Sequence, residues 1–370
     1  MESIKIIRSE LVRVMYDGGV LAGQTRTMPV LDNVCITTKD NRIRVESSDS
    51  ANYVRSYGIC ETTADMSFCV NAKEFASYID LLNDENIIIN YDSERKQIII
   101  EHASGEVKLP TINSDEFPVM KPIKETTRIE MPGEIFAGWL KTAGNFALKG
   151  DLGAVLEGIY IYANSKFLGV CGGEHSQIFT ARIPNTDNVP DFSIVLPKKS
   201  AEIMSRMCAT AKKVTLVQDE NALYIRTENT IVYSTLLSMK YPNVDSLFKQ
   251  MSQRQVNIDK TTLLQAIKRI ESQTVKDEES LHLCCTGSVL ELSYDVISEH
   301  SKYLRESVPC EGCPFDDVIV NIKRIKNILS NYSGEKVLLY HDNSERSPFF
   351  FESRYNDSLE LFLLAVMVKG

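Results

Sequence analysis

The sequence lacks the features typical of membrane proteins and secreted proteins. No apolar run approaches the roughly 20 residues that a membrane-spanning helix needs, and the first residues, MESIKIIRSEL, have no signal-peptide layout. A cytoplasmic location is therefore expected. With 43% hydrophobic and 25% charged residues, the composition is that of an ordinary globular protein.

Motifs of common enzyme classes are also missing. None of the five histidines lies in a HExxH spacing, and no phosphate-binding loop of the GxxxxGKS/T type is present. Gly172 and Gly173 are followed by Glu174 and His175, which is not a dinucleotide-binding pattern. Because no nucleophile can be matched with a base, no catalytic residue is predicted. An enzyme on a repeated α+β scaffold stays an alternative without a reaction to assign.

The cysteines do not form a recognisable metal or disulfide pattern. There are nine, and without a secretory signal they are expected to be reduced thiols. Cys310-Glu-Gly-Cys313 resembles half of a zinc site, but such a site normally needs a second well-spaced Cys or His pair. Two free thiols in a loop are expected, with zinc as the alternative. No metal and no cofactor are predicted.

What the sequence does contain is an internal repeat. Six times a short strand ends in an apolar residue and leads into an amphipathic helix, followed by strand-like runs. The steps between these strand ends are 61 to 65 residues. The last strand residues are Ile7, Val70, Met131, Leu196, Ile258 and Val320. Each repeat is therefore predicted to be a β-α-β-β-β unit.

The ends of the helices and of alternate repeats support this reading. Asn71, Asp259 and Asn321 are favoured N-cap residues, and Pro132 and Pro197 suit a first helical turn. Glu116-Phe117-Pro118-Val119 closes the second repeat and Lys240-Tyr241-Pro242-Asn243-Val244 the fourth. Repeats are therefore expected to work in pairs. The prediction is an α+β fold of three pseudo-repeated domains of two units each, at residues 1–125, 126–250 and 251–370.

Charge is divided unevenly between the predicted helices and the rest of the chain. The six helix segments contain 16 basic and 7 acidic residues, so they carry a net charge of +9. The rest of the chain carries −18, and the two together give the formal net charge of −9. A basic helical layer in an acidic protein favours a polyanion, held through its phosphates. No helix-turn-helix spacing or RNA-reading aromatic signature is present. Sequence-independent contact with the backbone of double-stranded DNA is therefore predicted.

The order of several short motifs resembles one protein family. They are Met28-Pro29-Val30-Leu31-Asp32-Asn33-Val34, Ser48-Asp49, Glu116-Phe117-Pro118, Leu156-Glu157-Gly158 and Leu196-Pro197-Lys198-Lys199. Together they resemble the bacterial sliding clamp, the beta subunit of DNA polymerase III. The resemblance implies a head-to-tail homodimer ring around duplex DNA, with helices lining the hole and sheets outside. It also implies a non-catalytic processivity factor that binds the polymerase and clamp-loader subunits through short peptide motifs.

The resemblance and the charge pattern together give the expected DNA-binding residues. By resemblance, Arg26, Lys198 and Lys199 fall near DNA contacts of the family. The charge pattern alone adds Lys73, Lys141, Lys149, Arg206, Lys212, Lys213, Lys268, Arg269 and Lys323.

The resemblance also implies an apolar pocket for partner peptides between domains two and three. Its expected residues are Leu156, Gly172, His175, Pro242, Leu247, Asn321, Arg324 and Met367. Two segments depart from the family: residues 172–177 lack its arginine, and the ending from Ala365 to Gly370 lacks its proline. The alternative is therefore a clamp-fold interaction module in which peptide binding is altered or lost. For Leu156, Leu247 and Met367, ordinary inter-domain core is the competing reading.

Overall fold

The computed structural model describes residues 2–24, 28–83, 85–122, 124, 127–148, 155–275, 279–296, 302–344 and 346–367. Its helices and strands confirm the α+β class. The helices are α1 (Arg8–Gly18), α2 (Ala72–Leu81), α3 (Gly133–Phe146), α4 (Lys198–Cys208), α5 (Asp245–Phe248), α6 (Lys260–Glu271) and α7 (Ile322–Asn331). In the described part of the chain, no helix is long and apolar enough to cross a membrane.

The strands fall into short groups between the helices. They are β1 (Glu2–Ile7), β2 (Asn33–Lys39), β3 (Arg42–Ser48), β4 (Asn52–Ile59), β5 (Glu61–Thr62), β6 (Met66–Asn71), β7 (Asn86–Asp92), β8 (Gln97–His102), β9 (Gly105–Ile112), β10 (Thr127–Pro132), β11 (Gly158–Ala163), β12 (Phe167–Glu174), β13 (Gln177–Pro184), β14 (Phe192–Pro197), β15 (Lys213–Asp219), β16 (Ala222–Arg226), β17 (Thr230–Thr235), β18 (Gln255–Asp259), β19 (Ser280–Cys285), β20 (Val289–Val296), β21 (Lys302–Gly312), β22 (Phe315–Asn321), β23 (Lys336–Tyr340), β24 (Phe349–Tyr355) and β25 (Ser358–Leu364).

The six predicted β-α-β-β-β repeats are confirmed. They begin with β1, β6, β10, β14, β18 and β22, and each first strand runs directly into a long helix. Asn71, Asp259 and Asn321 cap their helices as predicted: their side chains accept hydrogen bonds from backbone N–H groups of the first turn at 2.7–3.2 Å. The expectation for Pro132 and Pro197 was wrong by one residue. Both prolines end a strand, where they pair across the sheet with Lys213 and Gly158.

Neighbouring repeats exchange their first strands. β1 of the first repeat pairs with β7 of the second, and β6 of the second pairs with β2 of the first. The third and fourth repeats do the same through β10–β15 and β14–β11. The fifth and sixth do so through β18–β23 and β22–β19. A single repeat therefore cannot complete its own four-stranded sheet. This explains why the aromatic-proline closing motifs occur at every second repeat.

The chain divides into two compact units, each with one antiparallel sheet. The first unit comprises Met1–Gly138 and Glu202–Leu236, and the second comprises Trp139–Ala201 and Leu237–Gly370. Sheets of thirteen and twelve strands run through the first and second units respectively. β4 pairs with β17 inside the first unit, and β13 pairs with β25 inside the second. The predicted boundaries at residues 125/126 and 250/251 stay a prediction.

The helices pack one apolar face on these sheets. In α7, Ile322, Ile325 and Leu329 are fully buried, whereas Lys323 is exposed. In the second unit the indole N–H of Trp139 donates to Ser358 Oγ at 2.9 Å, so this large buried ring leaves no polar atom unpaired.

Candidate nucleic-acid face and peptide pocket

The charge excess on the six long helices is smaller than predicted. Within their observed bounds they hold 13 basic and 7 acidic residues, an excess of six. Asp17 lies in α1 but was not counted among the acidic residues of the predicted helix segments. Lys212 and Lys213 were expected on the fourth helix, but α4 ends at Cys208 and Lys213 begins β15. Arg26 and Lys149 lie outside the described residues. The basic character of the helices persists, with fewer cations carrying it.

Four of the expected DNA-binding lysines are exposed, and none of them forms an ion pair with any residue that the structure describes. They are Lys73 in α2, Lys141 in α3, Lys212 after α4 and Lys268 in α6. A strongly hydrated ammonium without a protein carboxylate keeps its full charge available to an incoming phosphate.

Three other expected DNA-binding residues already form ion pairs with carboxylates. Lys213 pairs with Glu130, and Lys323 pairs with Glu279. Arg269 donates two hydrogen bonds to Glu306, at 2.7 and 2.8 Å. The Arg269 guanidinium lowers the pKa of Glu306, and Lys323, with a smaller contribution from Asn321, lowers the pKa of Glu279. These cations must break an internal pair before they bind DNA, so sequence counting overstates their contribution.

The remaining expected cations lie along α4. Lys198 is half-buried and Lys199 exposed in its first turn, whereas Arg206 is exposed near its end. The guanidinium of Arg206 lies 3.7 Å above the ring of Tyr16 and donates to Tyr16 O at 3.2 Å. Tyr16 is 64% exposed. Sequence reasoning missed this residue, although its place among polar positions of α1 is a visible signal.

The first group of expected peptide-pocket residues surrounds a small apolar cluster in the second unit. Cys171, Val195, Tyr241 and Val244 form its buried centre, and Leu156 packs against it. Ile178 and Leu237 also contact the cluster and were missed by the resemblance. The alternation of β13, in which Ile178 lies between the buried Gln177 and Phe179, is the sequence signal for Ile178.

Gly172 allows a close helix–strand contact beside this cluster. A Cβ atom there would lie 2.2 Å from the backbone oxygen of Ala143 in α3. Next to Pro242, which is exposed, the ring of Tyr241 stacks on that of Tyr160, with centroids 5.0 Å apart and planes at 8°. Leu247 lies in α5 and is 36% exposed. Tyr241 thus fills the space beside Leu156, while Pro242 and Leu247 stay accessible.

The second group lies around the start of α7. His175 is exposed in the turn between β12 and β13, and the preceding Glu174 accepts a hydrogen bond from Arg324 Nε at 2.9 Å. The backbone N–H of Met367 donates to Ile319 O at 2.8 Å, and its sulfur lies 4.0 Å from Ser280 Oγ. Met367 is 37% exposed. The ion pair between Glu174 and Arg324 joins the end of β12 to the start of α7.

The Cys310–Cys313 segment differs from a paired thiol site. Cys310 Sγ lies 3.6 Å from Cys285 Sγ, whereas the backbone N–H of Cys313 donates to Gln255 O at 2.9 Å. In the described part of the chain, no three metal-binding side chains converge. Burial raises the pKa of the Cys310 thiol to about 12, which disfavours the thiolate that metals bind.

Comparisons with known proteins agree with the fold. Residues 3–121 match the family of DNA polymerase III beta subunits, N-terminal domain. The beta sliding clamp of Rickettsia bellii is 21% identical over 341 residues, covering 91% of this chain and 86% of that protein. The beta sliding clamp of Bacillus subtilis is 22% identical over 275 residues, covering 71% and 72%.

The fold is shared along the whole chain. A DnaN sliding clamp, DNA polymerase III subunit beta, from Pseudomonas aeruginosa superimposes with a TM-score of 0.91 at 14% identity, covering 100% of both chains. The chain therefore shares the fold of bacterial sliding clamps along its whole length, and residues 3–121 match the N-terminal domain family of DNA polymerase III beta subunits.

Proposed function

We propose that this protein is a DNA sliding clamp, a non-catalytic subunit of a DNA-directed DNA polymerase complex. Two copies would form a head-to-tail ring around duplex DNA, and the ring would tether the polymerase to the template as a processivity factor. The observation that carries the proposal is the pattern in which the last strands of the repeats pair.

Four of the six last strands are paired within the chain. β4 of the first repeat pairs with β17 of the fourth, and β13 of the third pairs with β25 of the sixth. Each pairing joins a repeat to the one three places later. The same rule would join the fifth repeat to the second repeat of another copy, through β21 and β9. A heterologous contact repeated in this way closes into a two-membered ring.

Both of these strands keep an edge available for pairing. β9 contacts β6 only at Thr111 and Ile112, and β21 contacts β18 only from Cys310 onward. Among the described residues, 105–110 and 302–309 pair on one side only. Open edges of this length are normally covered in natural proteins. Pairing between copies would cover them.

The internal pairings also give the register of the interface. Val54 lies opposite Val232, and Phe179 lies opposite Phe362; all four side chains are buried. The strand pairings of the second and fifth repeats identify the equivalent positions in their last strands. These positions are Val107 in β9 and Leu304 in β21.

Val107 of one copy would therefore lie opposite Leu304 of the other. Both side chains are half-buried in the single chain. In the same register Glu106 would lie opposite Arg305, whose guanidinium already pairs with Glu291 within its own chain.

The DNA-facing cations and the peptide pocket fit this role. Lys73, Lys141, Lys212 and Lys268 supply sequence-independent contact with phosphates. Apolar side chains around Leu156 and Met367 would take the partner peptide. Tethering raises the effective concentration of the polymerase at the primer end without new catalytic chemistry. The division into three domains at 1–125, 126–250 and 251–370 belongs to this proposal and is supported by the pairwise strand exchange.

The second candidate is the clamp-fold module with altered peptide binding. Two observations favour it: Tyr241, 6% exposed, packs into the cluster beside Leu156, and Glu174 holds Arg324. Met367→Ala separates the candidates. We expect it to weaken binding of a polymerase-derived peptide in calorimetry while the unfolding midpoint stays near that of the wild type. Unchanged affinity would place peptide binding elsewhere or nowhere on this surface.

Retention on circular DNA tests the proposed function directly. The protein is loaded with its clamp loader onto nicked circular DNA, and half of the sample is linearised. A clamp stays on the circle and leaves the linear form, and it lengthens the products of the cognate polymerase on primed templates. Equal retention on both forms, or a protein that remains monomeric, would contradict the proposal.

A further inference from the structure

Two cavities in the first unit flank the turn between β16 and β17. One has a volume of about 640 Å³ and is lined by Arg42 and Arg226. The other has a volume of about 390 Å³ and is lined by Arg206 and Lys212. Both are lined by Arg13 of α1 and by the turn residues 227–230, so they form the two ends of one groove.

Arg13 is fixed at the middle of this groove. It donates to the two carboxylate oxygens of Glu10 at 2.8 and 2.9 Å and to Tyr57 O at 2.6 Å. Its other terminal nitrogen lies 3.5 Å from Asp17. The hydrogen bonds to Glu10 raise the pKa of Arg13. The charge of Arg13 is therefore balanced locally, and the charge available to a ligand comes from the other basic residues.

Those residues keep their charge available. Arg42, Arg206, Lys212 and Arg226 are exposed, and none forms an ion pair with a residue in the described ranges. Five basic and three acidic side chains line the groove as a whole. In a chain with a formal charge of −9, this local excess of positive charge favours a polyanion.

An exposed aromatic ring lies beside the same groove. Tyr16 is 64% exposed, and the Arg206 guanidinium stacks on its ring at 3.7 Å. This stacking holds both groups in place before any ligand arrives. A positively charged groove with an exposed aromatic ring is the combination that binds single strands, because phosphates follow the cations and an unpaired base stacks on the ring. Duplex DNA keeps its bases stacked on one another and cannot use the ring.

We propose that this groove binds a stretch of single-stranded DNA. Arg42 and Arg226 would contact phosphates at one end and Arg206 and Lys212 at the other, and Tyr16 would stack on one base. The inference rests on the proposed function, since it adds a site for an unpaired strand to a protein that binds DNA.

Fluorescein-labelled oligo(dT) tests the groove in anisotropy titrations with the full-length protein. Tyr16→Ala should weaken binding by about 5- to 150-fold, the loss expected for one base–aromatic stack. The double variant Arg42→Ala/Arg226→Ala should reduce the slope of log affinity against log salt by about 1.4, since each single-strand phosphate contact contributes about 0.7.

Matched controls remove the same groups elsewhere. Tyr355→Ala removes a partly exposed ring, and Arg95→Ala/Arg354→Ala removes two exposed cations whose ion pairs are long, at 3.9 Å. If these variants lose oligo(dT) as strongly as the groove variants, the groove is not the site. Equal loss of duplex and oligo(dT) binding in Tyr16→Ala would also overturn the single-strand assignment.

The outcome is separable from that of the proposed function. A wild-type protein that stays on circular DNA but does not bind oligo(dT) refutes the groove and leaves the clamp standing. A protein that binds oligo(dT) through Tyr16 but is lost equally from circular and linear DNA supports the groove and refutes the clamp.

Discussion

Replacing Leu304 with aspartate should break the ring into monomers. In the proposed register Leu304 lies opposite Val107 of the partner, at the position where Val54 meets Val232 and Phe179 meets Phe362 inside the chain. Those internal pairs are at most 1% exposed. Leu304 is half-buried in the single chain, so completing its burial contributes about 0.8–1.5 kcal/mol, half of the full value, and the unpaired buried charge of the aspartate brings the loss to at least about 1.5–3 kcal/mol per contact.

The ring geometry doubles this loss. A two-membered head-to-tail ring contains the same contact twice, so the substitution costs at least about 3–6 kcal/mol of dimerisation free energy. At 1.4 kcal/mol per factor of ten, the dimer dissociation constant should rise by about two to four orders of magnitude. Sedimentation equilibrium measures this change, and the variant should also lose its retention on circular DNA.

The neighbouring residue provides the control. Tyr303 is 64% exposed and lies on the opposite face of β21. Tyr303→Asp introduces the same charge on the same strand and should leave the dimer within about tenfold of the wild type. If Leu304→Asp remains a dimer, or if both variants dissociate equally, the register derived from the internal pairings is wrong.

Three further predictions concern DNA contact, packing and pH. Removing the unpaired cations (Lys73→Ala/Lys141→Ala/Lys268→Ala) should lower the slope of log affinity for duplex DNA against log salt by about 2.7. Removing the paired cations (Lys213→Ala/Arg269→Ala/Lys323→Ala) should lower this slope less, and an equal decrease in both variants would show that the ion pairs do not affect DNA binding. Gly172→Ala should destabilise the protein by about 1–3 kcal/mol in urea unfolding because its Cβ meets the Ala143 backbone, whereas Gly138→Ala, with no atom within 4 Å of the new Cβ, should stabilise it slightly. Burial lowers the pKa of His341, so below about pH 6.5 the unfolded chain binds more protons than the folded chain, and the free energy of unfolding should fall from pH 7 toward 5.5. His341→Gln should flatten that pH dependence, and an unchanged pH profile would assign it to other groups.

The repeated units could be predicted because they depend on local sequence. A cap such as Asn71 followed by apolar residues at helical spacing indicates a helix start within a residue, and the structure confirms this. Strand exchange could not be predicted in the same way. β1 and β6 have the same alternation whichever partner they take, so nothing local distinguishes a swapped sheet from an unswapped one.

The charges of the site were harder to predict for a different reason. Sequence shows that Arg269 and Lys323 are basic, but not that Glu306 and Glu279 lie within reach of them. That depends on sheet register and side-chain rotamers. Tyr16 and Ile178 were missed because the resemblance transfers only positions that the family motifs cover, and neither residue belongs to such a motif.

The exchanged first strands have a consequence for synthesis on the ribosome. Thr127 of β10 lies opposite Gln218 of β15, so β10 leaves the ribosome long before its partner strand exists. At ordinary elongation rates of about 5–20 residues per second, this interval lasts roughly 5–20 s. Until the fourth repeat is synthesised, β10 of the third repeat remains an unpaired strand edge. Translation speed between residues 132 and 213 therefore becomes a determinant of how much of the chain reaches the native fold.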